Sequence, residues 1–245
     1  MARLDAMRAL DSQQPAAAGP PAARDPRPAA KYAVEAIGTF FLVFTCGAAV
    51  GSGSTLAPLA IGGVLMVMVY AGGQISGGHY NPAVTLAVLV RRGIGPGDAA
   101  RYWIAQSLAG VIAAAAVRWI VGPVHPAGPE HRPVAVFAVE ALFTFALCYV
   151  VLNVATSRRG QGNSYFGLAI GFTVVSGAFA VGGISGGAFN PAVAIAAVAM
   201  GMIAWPALWI YLAAQGIAAA GAGIAFLLLD PDQRRSGRTA SRSAA

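Results

Sequence analysis

Two copies of one short run, Asn81-Pro82-Ala83 and Asn190-Pro191-Ala192, are the residues best placed to do chemistry in this chain of 245 residues. Each follows Ser-Gly-Gly, at 76–78 and 185–187. Asn caps a helix by accepting from backbone N–H groups of the first turn, and Pro suits the first helical position, where its missing N–H is not needed. The glycines let the incoming backbone turn tightly and pack closely. Each run therefore predicts the start of a helix that presents an amide side chain and roughly half a positive charge. That chemistry is hydrogen bonding to neutral acceptors and repulsion of cations, with no bond made or broken. The apolar segments hold no Ser-His-Asp arrangement, no paired acids and no metal-ligand spacing, so an enzyme has nothing to work with and no cofactor is implied.

The elements that must position these runs are apolar. The chain is 57% hydrophobic and 10% charged, with mean hydropathy +0.66. A soluble domain carries about a quarter charged residues, so the lipid bilayer has to be the solvent. The net charge of +7 is no nucleic-acid footprint, because all 16 Lys and Arg fall outside the long apolar runs or at their ends. Their excess in alternate connections follows the positive-inside pattern and puts both termini, with the loops near 91–101 and 156–162, in the cytoplasm. The same charge attracts anionic lipid heads. Cys46 and Cys148 make no disulfide framework and are expected to be packing residues.

Hydropathy predicts six spans, at 32–50, 55–70, 102–121, 134–155, 165–180 and 206–229, and two short apolar pieces, 81–90 and 190–200. Ten residues of helix reach about half of a hydrocarbon core of about 30 Å, so the short pieces cannot cross. The pattern is a repeat. Leu59 to Val84 aligns without a gap on Leu168 to Val193 at an offset of 109, and Val-Glu-Ala at Glu35 pairs with Val-Glu-Ala at Glu140 at an offset of 105. Each half has three spans, so the second is inverted relative to the first. The expected organisation is a disordered cytoplasmic tail at 1–31, half-repeats at 32–133 and 134–229, and a second cytoplasmic tail at 230–245.

Inverted repeats with broken helices at matching places point to a permeation site at the midplane. Irregular backbone at that depth survives only when buried in protein or lining a wet cavity. Entering from opposite faces, the two half-helices meet N-terminus to N-terminus, and their summed dipoles with the two Asn amides oppose a cation at the centre. Glu35 and Glu140 each cost about 2.5–3.5 kcal/mol inside a membrane helix unless partnered. They are either a proton relay or acceptors for the N–H groups of the Gly-rich stretches, and their symmetric placement favours the second role.

Tyr32 to Leu229 resembles the major intrinsic proteins, the aquaporins and glycerol facilitators. The resemblance is carried by both Asn-Pro-Ala motifs, by the first motif's Ile-Ser-Gly-Gly-His-Tyr and Val-Thr flanks, by both glutamates, by Gly38-Thr39-Phe40 and by Ala105-Gln106. It implies an all-α, right-handed bundle of six tilted helices plus two re-entrant half-helices around one pore, assembled as a homotetramer. It also implies that His79 lines the pore vestibule. In most aquaporins an arginine that forms one side of the selectivity filter follows the second motif; here that position is Val193. Spacing from the motifs gives Ile61 and Gly187 as further filter positions, with Ala178 from an ungapped count or Val174 from a gapped one. Such a filter has no fixed charge, no histidine and no large ring. It predicts a wide apolar constriction that passes water together with urea, glycerol, ammonia, hydrogen peroxide or similar neutral solutes. Gly187 stands where some relatives have a mercury-sensitive cysteine, so block by that route is expected to be weak.

Three other readings are weighed against this one. A strict water channel of the same fold would need a constriction narrowed by helix shifts. A coupled secondary transporter would need a binding-site charge or coupling-ion ligands, and a scaffold with a closed pore would show no flux. The Ala-, Gly- and Arg-rich composition with a single Lys suggests GC-rich bacterial coding, and hence the inner cell membrane.

Overall fold

The computed structural model describes residues 28–124 and 132–230. The two assigned tails lie outside the described residues except for 28–31 and Asp230. Proline opens most helices. It stands in the first turn of α2 (Ala57–Ser76), α3 (Pro82–Val90), α4 (Pro96–Ile120), α5 (Pro133–Val151) and α7 (Pro191–Met200), where no N–H is missed. The remaining helices are α1 (Pro28–Gly51), α6 (Phe166–Ser185) and α8 (Leu208–Leu229), and no strand occurs among the described residues. Six helices are long and apolar enough to cross a membrane. The nine residues of α3 and ten of α7 are too short to do so.

Several bounds differ from hydropathy. Both α2 and α6 continue through Gly-rich sequence to Ser76 and Ser185, beyond the span ends expected at 70 and 180. Helical glycine costs about 1 kcal/mol against alanine, but Gly72 makes room: a Cβ there would lie 2.0 Å from the Tyr80 hydroxyl oxygen. The stop comes one residue after the serines, where Gly77 (φ 88°) and Gly186 (φ 83°) take the left-handed conformation that glycine adopts freely. Helix α4 starts at Pro96, well before 102, because Gly95 and Pro96 supply a ready N-terminus. At its far end α5 widens into a π-turn, Leu152–Thr156, which no sequence signal announces.

The halves interlock. In each, the first helix packs on the second and third: α1 on α2 and α4, α5 on α6 and α8. The halves join along α2 and α6, and the short helices cross over, α3 lying chiefly against α8 and α7 chiefly against α4. At one end Lys31 Nζ (2.8 Å) and the Tyr32 hydroxyl (2.6 Å) donate to the Asp98 carboxylate in the first turn of α4. The outer surface stays apolar, with Ile104, Leu108 and Ile112 on α4 and Ile217 and Ile224 on α8 all exposed, which lipid tolerates and water would not.

Tyr80 is the wedge between α1, α2 and the first re-entrant loop. It is 1% exposed, and a Cβ on Gly38 would come within 2.2 Å of its ring. Gly38→Ala is therefore expected to cost about 1–3 kcal/mol by overpacking, a fall of roughly 3–10 °C in melting temperature for a chain of this size. Thermal unfolding of the purified protein in detergent checks it. Wild-type stability in that variant would mean that the ring moves aside freely.

Candidate functional site

The two Asn-Pro-Ala runs do what their residue types suggest and one thing more. Asn81 Oδ1 accepts from Ala83 N at 2.8 Å, and Asn190 Oδ1 from Ala192 N at 2.9 Å, so each side chain caps its own helix. Each amide nitrogen also reaches across the midplane. Asn81 Nδ2 donates to Phe189 O and Asn190 Nδ2 to Tyr80 O, both at 2.9 Å. One N–H of each amide thus ties the halves together, and one remains for the lumen. The carbonyls they bind are aimed by an unusual backbone: Tyr80 (φ 48°) and Phe189 (φ 47°) are left-handed non-glycine residues. Such a conformation costs of order 1–3 kcal/mol and persists only where its surroundings hold it.

Glu35 and Glu140 are those surroundings. Glu35 accepts from Ser76 Oγ (2.7 Å), His79 N (2.9 Å), Tyr80 N (2.7 Å) and Gln106 Nε2 (2.8 Å). Glu140 accepts from Ser185 Oγ (2.7 Å), Ala188 N (3.0 Å), Phe189 N (2.8 Å) and Gln215 Nε2 (2.9 Å). The sets correspond residue for residue through the repeat. Tyr102 and Tyr211 close each cradle by donating to Ser76 O and Ser185 O, both at 2.6 Å. Both carboxylates are fully buried, and four donors apiece account for their oxygens.

Between the loops lies a small cavity of about 30 Å³. One water needs about 10–15 Å³ of such room, so the cavity has space for about two or three waters. The residues lining it form pairs under the repeat: Leu42 with Leu147, Cys46 with Val151, Ile61 with Ile170, Leu65 with Val174, Gly78 with Gly187, His79 with Ala188, Asn81 with Asn190 and Val84 with Val193. Only His79/Ala188 and Cys46/Val151 change polarity within a pair.

Ile61, Gly187, Val193, His79 and both asparagines, picked out from the sequence, share this wall. Pro82 and Ala83, with Pro191 and Ala192, form the first turns just behind it. Ala178 is not on the wall; its Cα lies beside Gly187, 3.4 Å from where a Cβ on that glycine would stand, and Val174, one turn earlier, faces the cavity. Cys148 is fully buried, but Cys46 lines the cavity rather than only packing. Sequence reasoning missed Leu42, Cys46, Leu147 and Val151 because the lipid face and the lumen face of α1 and α5 are equally apolar. The offset of 105 that pairs the two glutamates pairs these residues too.

Six spans, two half-helices abutting at their N-termini and an axial cavity between inverted halves define a membrane channel. Residues 23–228 match the major intrinsic proteins. The chain is 38% identical over 201 residues to glycerol uptake facilitator protein-like 6 of Lactiplantibacillus plantarum, covering 77% of this chain and 93% of that one. It is 38% identical over 195 residues to aquaporin NIP2-1 of Oryza sativa (74% and 64% covered) and 34% identical over 227 residues to nodulin-26 of Glycine max (87% and 83%). The aquaglyceroporin of Plasmodium falciparum has the same fold, with TM-score 0.72 at 18% identity over 85% of this chain and 99% of that one. The chain belongs to the major intrinsic protein family. It is accordingly a multi-pass membrane protein and a passive channel for water and small solutes, not an enzyme.

Proposed function

We propose that the cavity is the permeation path and that the apolar part of its wall, which includes Ile61, Val174, Gly187 and Val193, admits neutral solutes such as urea, glycerol, ammonia and hydrogen peroxide along with water. The observation that carries this is Val193 on the cavity wall, paired with Val84, where the family resemblance puts an arginine. Without a guanidinium there, a passing solute meets no fixed charge and no fork of donors. The name of the Lactiplantibacillus relative, a glycerol uptake facilitator-like protein, agrees with this breadth.

Asn81 and Asn190 are the central donors, and the half-helix dipoles behind them are the obstacle to cations. Glu35 and Glu140 hold the loops rather than relaying protons. The arginine-bearing connections belong to the cytoplasmic face with both termini, the membrane is the bacterial inner membrane, and the assembly is a homotetramer with a pore in each subunit. The small volume of the cavity supports a second reading, a strict water channel.

Stopped-flow light scattering on proteoliposomes separates the two. Water, urea and glycerol fluxes above those of protein-free vesicles are expected for the wild type, and Val193→Trp, which plugs the cavity, is expected to bring all three to the protein-free level. Water flux alone in the wild type would establish the strict water channel instead. Fluxes untouched by Val193→Trp would remove the cavity as the path.

A further inference from the structure

A second and larger cavity, of about 320 Å³, lies outside the pore wall, where the ends of α5 and α8 meet the connection at 157–165. Its wall sets Asn153, Ser157, Arg159, Tyr165 and Asp230 beside the apolar Leu229. The π-turn shapes it. Val151, just before the turn, borders the pore, whereas Asn153 and Val154 within the turn border this cavity. Asn153 Nδ2 donates to Tyr149 O at 2.8 Å and Asn163 Nδ2 to Val154 O at 2.7 Å, which fixes the turn's shape. Such turns are frequent at functional sites, and no residue of this one borders the pore. Asp230 is the under-partnered group of the wall. It is 8% exposed, and no donor lies within hydrogen-bond reach of its Oδ1. The Arg159 guanidinium stands 3.9 Å from that oxygen. The carboxylate also follows the negative end of α8, whose last turn has no basic residue. Arg91 is engaged elsewhere: it donates to Thr156 O at 2.8 Å and lies over the Phe226 ring, 5.4 Å from its centroid.

We propose that this second cavity is a lipid-headgroup site and that it takes phosphatidylethanolamine. The Arg159 side chain is 70% exposed, so its guanidinium can turn its planar fork of donors to the phosphate. The primary ammonium of the same headgroup brings the Asp230 carboxylate a charge and N–H donors, and charge-assisted hydrogen bonds are the strong ones. Leu228 and Leu229, both exposed, continue the site onto surface that lipid chains cover. A choline headgroup carries the same charges but has no N–H to donate. A glycerol headgroup has hydroxyls but no cation to set against the carboxylate. The site shares no lining residue with the pore, so it stands whether or not the pore cavity conducts.

Native mass spectrometry of the full-length protein in detergent tests this, with phosphatidylethanolamine, phosphatidylcholine and phosphatidylglycerol of matched chains titrated in turn. The proteins compared are the wild type, Asp230→Asn and Arg159→Gln, with the folding of each variant checked by its melting temperature. The wild type is expected to hold one phosphatidylethanolamine about ten-fold more tightly than phosphatidylcholine, the factor that one charge-assisted hydrogen bond is worth. Asp230→Asn keeps the shape and removes the charge, so it is expected to bind the two lipids alike. Arg159→Gln is expected to weaken both, because both carry the phosphate. Equal binding of the two lipids by the wild type overturns the proposal, and so does a preference that survives Asp230→Asn. Tighter binding of phosphatidylglycerol than of phosphatidylethanolamine, strengthened further in Asp230→Asn, overturns it too, since the cavity would then select the phosphate alone.

Discussion

Replacing Glu140 by leucine is expected to abolish the folded channel, and replacing it by glutamine to weaken it much less. Leucine leaves four buried donors, those of Ser185, Ala188, Phe189 and Gln215, without an acceptor. An unsatisfied buried donor costs about 1–3 kcal/mol, so four together rival the whole net stability of a typical fold, about 5–15 kcal/mol. With the Phe189 N–H released, only the Asn81 amide at its carbonyl still holds that residue left-handed. Glutamine is subtler. Its Oε1 can keep Ser185 and Ala188, but its Nε2 then faces the N–H groups of Phe189 and Gln215. Gln215 can turn its amide over, because its Oε1 has no partner in the native arrangement. One mismatch is repaired and one, at Phe189, remains.

The mirror substitution has a different outcome. Gln106 cannot turn over so cheaply, because its Nε2 also donates to Thr85 Oγ1, and turning it sacrifices that bond. Glu35→Gln is therefore expected to lower the melting temperature more than Glu140→Gln, by the few degrees that one hydrogen bond of about 1 kcal/mol is worth in a chain of this length. Thermal unfolding of the purified variants in detergent, with water flux from the same preparations, gives both comparisons. Equal losses in the two glutamine variants would show that Thr85 adds nothing to the first cradle. A stable, conducting Glu140→Leu channel would show that the second re-entrant loop holds its shape without its carboxylate.

The cradles were legible in the sequence because a carboxylate inside an apolar span must have partners, and a Gly-rich stretch at membrane depth must have acceptors. Two needs of opposite sign at matching offsets imply each other. The capped starts of α3 and α7 were equally plain, since Asn-Pro fixes both the cap and the first helical residue. The left-handed Tyr80 and Phe189 were not legible: aromatic residues disfavour that conformation, and it exists here only because the glutamates grip the N–H groups while the opposite asparagines grip the carbonyls. The length of α2 was hidden because Gly72 reads locally as a break, and only the ring of Tyr80, eight residues on, explains it. Hydropathy was also mute on which side of α1 and α5 meets the lumen, since the pore wall there is as apolar as the lipid face. In each case the missing information is tertiary, and where the chain repeats itself the repeat supplies part of it.

Val193→Arg is the second substitution with a large expected effect, because it changes the chemistry of the wall rather than its support. The side chain starts from α7, borders the cavity and is 9% exposed. A guanidinium there brings five donors and a permanent charge into a cavity of about 30 Å³. The placement is expected to cost less than the roughly 2.5–3.5 kcal/mol of a charge in dry membrane interior, because a cavity that serves as the permeation path holds water. Solutes lose more than water does. A urea or glycerol molecule must pass a wall that now projects a planar fork into the file, whereas a single water can take the fork's hydrogen bonds and move on. Urea and glycerol fluxes are expected to fall to those of protein-free vesicles while water flux stays above them, in the stopped-flow assay with matched protein content. Val193→Leu adds bulk without charge and is expected to slow the solutes only in part. If leucine blocked them as completely as arginine, width alone would govern selection, and the missing charge would have no part in it.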